Sequence, residues 1–192
     1  MTSYNGEAYS TPAVSFFDWF KTVGESRTGT HGDTDSVRRI ASELDRLEPP
    51  RARYLAAFAY VLSRVARADL RVGDVETKRM TEILQRIGHL PEDQAALVVE
   101  IAKAQSRLFG GTEDFLVTRE FRAISTVEER RELVDCLFAT AASEDGISIA
   151  EESQIRQIAS ELGFSPDEYV AIRLGWSEHR KVLRGLRREQ GS

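Results

Sequence analysis

The sequence is poor in the residues on which several common classes of protein depend. Its 192 residues include one cysteine, Cys136, so the chain has no internal disulfide and no cysteine-rich zinc site. Cys136 falls in an apolar helical stretch and is predicted to be a small buried residue. No run of about 18 uncharged apolar residues occurs, which argues against a transmembrane segment. Because no basic stretch followed by an apolar run opens the chain, we expect no signal peptide and a cytoplasmic location.

Charge of one sign is also scarce. The chain has 31 acidic and 26 basic side chains, a net charge of −5, and it lacks the basic footprint of a nucleic-acid-binding protein. Its three histidines, His31, His89 and His179, share no spacing that would indicate a metal site. No nucleophile elbow, phosphate loop or metalloprotease motif occurs. We therefore expect a non-enzymatic protein, and an unrecognised carboxylate-dependent hydrolase stays open as an alternative.

What the sequence does contain is helical periodicity. From residue 37 onward, apolar side chains recur at helical spacing, and prolines and glycines mark the interruptions. No sustained two-residue alternation bounded by turns indicates a strand. Three Ser-x-x-Glu patterns are predicted to cap helices: Ser125 with Glu128, Ser148 with Glu151, and Ser165 with Glu168. The sequence therefore predicts an all-α bundle of about seven helices.

Composition divides the chain into three parts. Residues 1–35 are predicted to be a flexible N-terminal segment, with a short aromatic helix over 13–23 and glycine- and hydroxyl-rich linker chemistry over 24–36. The large aromatic residues of this segment are Phe16, Phe17, Trp19 and Phe20. We expect them to bind either their own domain or a protein partner. The helical domain covers 36–176, and residues 177–192 form a basic helix end that is either solvated or in contact with an acidic partner or a membrane surface.

The helical domain contains an internal repeat. A shift of 75 residues aligns its two halves without gaps. The matching pairs include Leu62 with Leu137, Asp69 with Glu144, Glu76 with Glu151, Gly88 with Gly163, and Pro91 with Pro166. Two unrelated amphipathic helices would share apolar positions by chance, but not also the acids, the glycine stop and the following proline. We therefore predict a pseudo-twofold repeat of helix–acidic loop–helix units.

The loop motif of the repeat also carries a family resemblance. Its residues are the run 141–147 (AASEDGI), Glu151, Ile155, Ile158 and Gly163 in the second copy, and 66–69 (ARAD), Val72, Glu76 and Met80 in the first. This pattern resembles the tellurite-resistance TerB-like family over about residues 52–174. Two features depart from the family's usual form: Leu70 replaces a glycine, and the second loop is one residue short between Asp145 and Glu151.

The resemblance implies a function as well as a fold. It implies an all-helical bundle, acids from two loops that hold a divalent cation, and a link to stress response. Similar domains occur in membrane-anchored J-domain co-chaperones, which implies a role in protein interaction. The sequence therefore predicts a non-enzymatic TerB-like module in stress response or protein assembly. The alternative is a metal-independent interaction domain of the adaptor or co-chaperone kind.

The acidic loops supply the predicted metal ligands. These are Asp69, Asp74 and Glu76 in the first loop, and Glu144, Asp145, Glu151 and Glu152 in the second. Carboxylate oxygens suit hard divalent cations, and we consider calcium, magnesium, manganese and zinc. In the alternative interpretation, Glu76 and Glu151 only cap their helices. The remaining acids are then solvated or paired with an arginine, for which Arg64 and Arg67 are nearest in sequence.

Overall fold

The computed structural model describes residues 31–66, 74–108, 114–142 and 146–177. These residues form eight helices and contain no strand. The helices are α1 (His31–Asp45), α2 (Pro49–Ala66), α3 (Asp74–Arg86), α4 (Glu92–Leu108), α5 (Asp114–Ile124), α6 (Val127–Ala142), α7 (Ile149–Glu161) and α8 (Pro166–Leu174). The all-α fold predicted from the helical periodicity is therefore confirmed, with eight helices described where about seven were predicted.

Helix α2 forms the centre of the bundle. Pro49 and Pro50 occupy its first turn, where a missing N–H removes no helical hydrogen bond. Every residue from 55 to 62 is buried, as expected for a helix surrounded by other helices. Accordingly, α2 packs against α1, α4, α5, α6 and α7. Within the described ranges, neither α2 nor any other helix is long and apolar enough to cross a bilayer.

Short-range hydrogen bonds between a hydroxyl residue and a glutamate begin three of the helices. The predicted capping boxes are present at Ser148 with Glu151 and at Ser165 with Glu168. The third box lies one residue later than predicted. The Thr126 amide donates to Glu129 Oε2 at 2.8 Å, and the Glu129 amide donates to Thr126 Oγ1 at 3.2 Å. The predicted Ser125–Glu128 box is wrong because the Ser125 hydroxyl instead donates to the Phe121 carbonyl at the end of α5, at 2.5 Å.

The helical domain begins earlier than its composition suggested. Helix α1 starts at His31, inside the run 24–36 that was predicted to be a linker. Ile40 and Leu44 on α1 are buried, and α1 packs against α4 and α2. A largely polar sequence forms this helix because its few apolar side chains fall on one face. The aromatic segment over 13–23 lies outside the described residues.

Trp176 closes the described part of the chain at its C-terminal end. Its ring stacks on Phe138 with centroids 6.2 Å apart and planes 9° apart. Its Nε1–H donates to Asp135 Oδ1 at 3.1 Å. The side chain that ends the predicted domain is therefore tied to α6. The basic stretch that follows lies outside the described residues.

The helix bounds follow the predicted repeat. Helices α3 and α7 differ by 75 residues at both ends. Their packing is reciprocal, since α2 packs against α7 while α3 packs against α6. The two helix stops differ, however. The left-handed residue is Gly163 after α7, with φ 93°, and His89 after α3, with φ 50°. The reciprocal packing agrees with an exchange of the two units by a pseudo-twofold axis, which stays a prediction.

Candidate functional site

The predicted metal ligands flank two connections, the first between α2 and α3 and the second between α6 and α7. Asp74 and Glu76 lie in the first turn of α3, and Glu151 and Glu152 lie in the first turn of α7. Both turns offer backbone N–H groups and the positive end of a helix dipole to an anion. The other three predicted ligands, Asp69, Glu144 and Asp145, lie outside the described residues. Among the residues that the structure does describe, no three His, Cys, Asp or Glu side chains group as metal ligands.

Glu151 caps its own helix. The Ser148 amide donates to Glu151 Oε2 at 2.7 Å, and the Glu151 amide donates to Ser148 Oγ at 3.2 Å. Ser148 has the extended backbone of an N-cap residue, with φ −76° and ψ 164°. The capping role considered for Glu151 is therefore present in the structure. The cap uses Oε2 and leaves Oε1 outside the hydrogen bond that defines it.

Glu152 points away from the loop and into the packed interface between α7 and α8. Its side chain is buried, and Arg173 Nη1 donates to its Oε1 at 3.1 Å. The Tyr169 hydroxyl donates to the Glu152 main-chain carbonyl at 3.4 Å on the same side of α7. A buried carboxylate needs such a partner because an unpaired buried charge is costly. Glu152 therefore has a structural role in joining α7 to α8.

The second loop returns to the core immediately before α7. Gly146 is buried with φ 95°, a conformation that glycine adopts without the steric cost that other residues meet. Ile147 follows it and is also buried. The Asp145-Gly146 sequence therefore ends in a sharp turn that inserts Ile147 into the core and brings the chain to the Ser148 cap.

Arg64 forms a buried polar cluster that connects α2, α5 and α7. Its Nη1 donates to Glu161 Oε2 and to Thr118 Oγ1, each at 2.5 Å. Its Nε lies 3.5 Å from Asp114 Oδ2, and the Tyr60 hydroxyl donates to Asp114 Oδ1 at 3.1 Å. The sequence suggested Arg64 as a partner for the loop acids. The structure instead gives it Glu161 and Asp114 as partners, so it does not neutralise the loops.

The carboxylate of Glu161 is held in its charged form by this cluster. Burial by itself raises the pKa of Glu161, but hydrogen bonds and the positive charge of Arg64 outweigh it. A further hydrogen bond comes from Gln157 Nε2, which donates to Glu161 Oε1 at 3.0 Å. The net result is a pKa below the ordinary value for glutamate. The cluster is therefore a satisfied ion pair that fixes three helices.

The comparison with protein families agrees with the geometry. Residues 55–174 match the family described as tellurite resistance protein TerB. The chain belongs to the TerB family. The match confirms the resemblance predicted over about residues 52–174. No curated protein and no solved structure matches the chain.

The TerB match separates the candidate residues into two groups. It extends from α2 to the end of α8, and so it includes both acidic connections and the cluster around Arg64. Helix α1 and the aromatic candidates Phe16, Phe17, Trp19 and Phe20 precede it. The four aromatic residues lie outside the described part of the chain, so their predicted role in partner binding stays a prediction.

One surface contact of the TerB domain involves a histidine. His89 Nε2 lies 3.8 Å from Glu132 Oε1, and the His89 side chain is largely exposed. Burial raises the pKa of Glu132, and the neighbouring His89 partly opposes that shift. The contact joins the end of α3 to α6. With one histidine and one carboxylate, it offers too few ligands for a metal ion.

Proposed function

We propose that this TerB-family chain is a non-enzymatic helical module that binds a divalent cation through its acidic loops and acts in stress response or protein assembly. The observation that carries the proposal is the placement of the acids. Asp74, Glu76 and Glu151 stand in the first turns of two helices whose bounds differ by 75 residues, each just after an acidic loop. Equivalent positions of this kind allow two loops to supply ligands to one ion.

The chemistry of the donor set supports a hard cation. The residues that would hold it are Asp69, Asp74, Glu76, Glu144, Asp145 and Glu151, all of which offer carboxylate oxygen. Calcium, magnesium and manganese prefer such ligands, and zinc also accepts them. Glu151 can contribute Oε1 while Oε2 holds the cap. We leave Glu152 out of the set because its carboxylate pairs with Arg173.

Thermal unfolding of chelator-treated protein tests the proposal. A cation that binds only the folded state should stabilise it by about 2.7 kcal/mol at a hundredfold excess over its dissociation constant. Calcium, magnesium, manganese and zinc are each added at millimolar concentration. At least one should raise the melting temperature, and Asp145→Asn and Glu151→Gln should each lose that increase.

Glu152→Gln is the matched control for this experiment. It removes an adjacent charge and weakens the pair with Arg173, so it should lower the melting temperature without cation. It should nevertheless keep the full cation-dependent increase, since Glu152 faces α8 and not the loop. Loss of the increase in this control, or no increase with any cation in the unchanged protein, would contradict the proposed site.

A metal-independent interaction module is the second candidate function, and two observations favour it. The Glu151 cap needs no ion, and glutamine caps as well as glutamate, so Glu151→Gln should then be nearly silent. Phe115 and Leu116 are exposed at the start of α5, where they can contact a protein. Absence of any cation effect, with stability unchanged in Glu151→Gln, would favour this second function.

A further inference from the structure

The outward side of α5 combines apolar and positively charged side chains. Five exposed residues lie within about 120° of the helix circumference, at 100° per residue. They are Phe115, Leu116, Arg119, Arg122 and Ala123, here called the α5 outer face. Phe115 is 56% and Leu116 is 61% exposed. Large apolar side chains grouped in this way on one helix face indicate a binding surface.

The charge of the α5 outer face is opposite in sign to that of the whole chain. Both of its charged members are arginines, whereas the chain carries a net charge of −5. Asp114 turns inward to Tyr60 and Arg64, and Glu120 is half-buried beside the face. An occupant of this surface should therefore be both apolar and acidic.

We propose that the N-terminal aromatic segment of the same chain docks on the α5 outer face. Residues 1–20 contain six aromatic side chains, and their only charged side chains are Glu7 and Asp18. Phe16, Trp19 and Phe20 supply apolar surface for Phe115 and Leu116. Asp18 lies among these aromatic residues and can pair with Arg119 or Arg122. The segment thus matches the α5 outer face in both apolar character and charge.

The other exposed large apolar residues suit this segment less well. Val75 and Ile149 stand at the starts of α3 and α7, next to the acidic loops. Val127 precedes Glu128 and Glu129, and Val170 and Leu174 share α8 with Asp167 and Glu168. Negative charge at these places repels Glu7 and Asp18.

The length of the intervening chain permits the docking. The eleven steps from Phe20 to His31 span at most about 36 Å at about 3.3 Å per residue. A domain of about 147 residues has a radius of gyration of about 15 Å, and a sphere of that size is about 38 Å across. The segment can therefore reach most of the domain surface, including α5. The inference does not depend on cation binding.

Tryptophan fluorescence tests the docking directly. The chain has two tryptophans, so Trp176→Phe makes Trp19 the only emitter while keeping an aromatic ring against Phe138. In this background, Trp19 should emit at the short wavelength of a buried indole and resist acrylamide quenching. Leu116→Gln and Arg119→Glu should each shift the emission to longer wavelength and increase the quenching. Leu174→Gln is the matched control, because Leu174 is also 61% exposed, and it should leave both quantities unchanged.

Three results would overturn the inference. Emission of a fully hydrated indole in the Trp176→Phe background would mean that the segment does not dock. Buried emission that is insensitive to Leu116→Gln and Arg119→Glu would place it elsewhere. Emission that shifts to longer wavelength on dilution would mean that a second copy of the chain provides the segment. A photo-crosslinker at position 20, in protein that retains Trp176, gives a second measurement and should attach to α5.

Discussion

Arg64→Ala should destabilise the protein by about 3–5 kcal/mol, the range found when one partner of a buried ion pair is removed. The side chain of Arg64 is 1% exposed and that of Glu161 is 9% exposed, so the Glu161 carboxylate would remain charged in a place that water hardly reaches. The change also removes the donor to Thr118 Oγ1 and the packed aliphatic stem of the arginine. Asp114 is more exposed and should contribute less to the loss.

Urea unfolding followed by circular dichroism measures this loss. Glu161→Gln should cost about 1–3 kcal/mol, less than Arg64→Ala, because its amide oxygen still accepts a hydrogen bond from Arg64. The double variant should be less destabilised than the sum of the two, with a coupling of about 0.5–3 kcal/mol. Arg46→Ala is the surface control, since Arg46 and its partner Glu43 are 69% and 45% exposed, and it should cost at most about 1 kcal/mol.

Similar unfolding midpoints for Arg64→Ala and Arg46→Ala would refute this reasoning. That result would mean that the buried pair contributes no more than a surface pair. Arg64→Lys provides a further check if the alanine variant does not fold. Lysine keeps the charge but loses the planar two-pronged contact with Glu161, so its stability should fall between those of the unchanged protein and Arg64→Ala.

Three further predictions follow from the same structure. Gly163→Ala should cost about 1–2 kcal/mol because of the positive φ, whereas Gly175→Ala, at φ −61°, should be neutral or stabilising by up to about 1 kcal/mol; equal melting temperatures would contradict this. Cys136 is buried, and burial raises the pKa of its thiol, so a chromogenic thiol reagent should label it only after unfolding. Because the pKa of Glu161 is lowered in the folded state, its charge stabilises the protein above about pH 4.3, and that contribution is lost as the pH falls through the folded pKa. Glu161→Gln should therefore lose less stability than the unchanged protein on acidification, and an identical loss in both would contradict the assignment.

The fold could be predicted from the sequence because its signals are local. The capping boxes at Ser148 and Ser165 each depend on two residues three positions apart. The start of α1 at His31 was missed because glycine, serine and threonine dominate the run 24–36, and only the later residues Ile40 and Leu44 reach the core. Composition indicated a linker where packing against α4 and α2 favours a helix.

The polar contacts of the candidate site could not be predicted in the same way. Arg64 and Glu161 are 97 residues apart, and neither position carries a local signal of the pairing. Proximity in sequence suggested the loop acids as partners of Arg64, but the position of Arg64 on α2 turns its side chain toward α5 and α7 instead. Glu152 was grouped with its loop neighbours for the same reason, although its carboxylate faces Arg173. One clue was available, because Arg64 is charged and lies in a helix that is otherwise apolar from 54 to 66 apart from Ser63.

Isothermal titration calorimetry of the chelator-treated protein tests the proposed function most directly. Calcium, magnesium, manganese and zinc are titrated separately into the unchanged protein, Asp145→Asn and Glu152→Gln. We expect saturable binding of at least one cation to the unchanged protein and to Glu152→Gln, and its loss in Asp145→Asn. Absence of binding heat and of any melting-temperature shift with all four cations would contradict the cation site and leave the interaction module as the function of the chain.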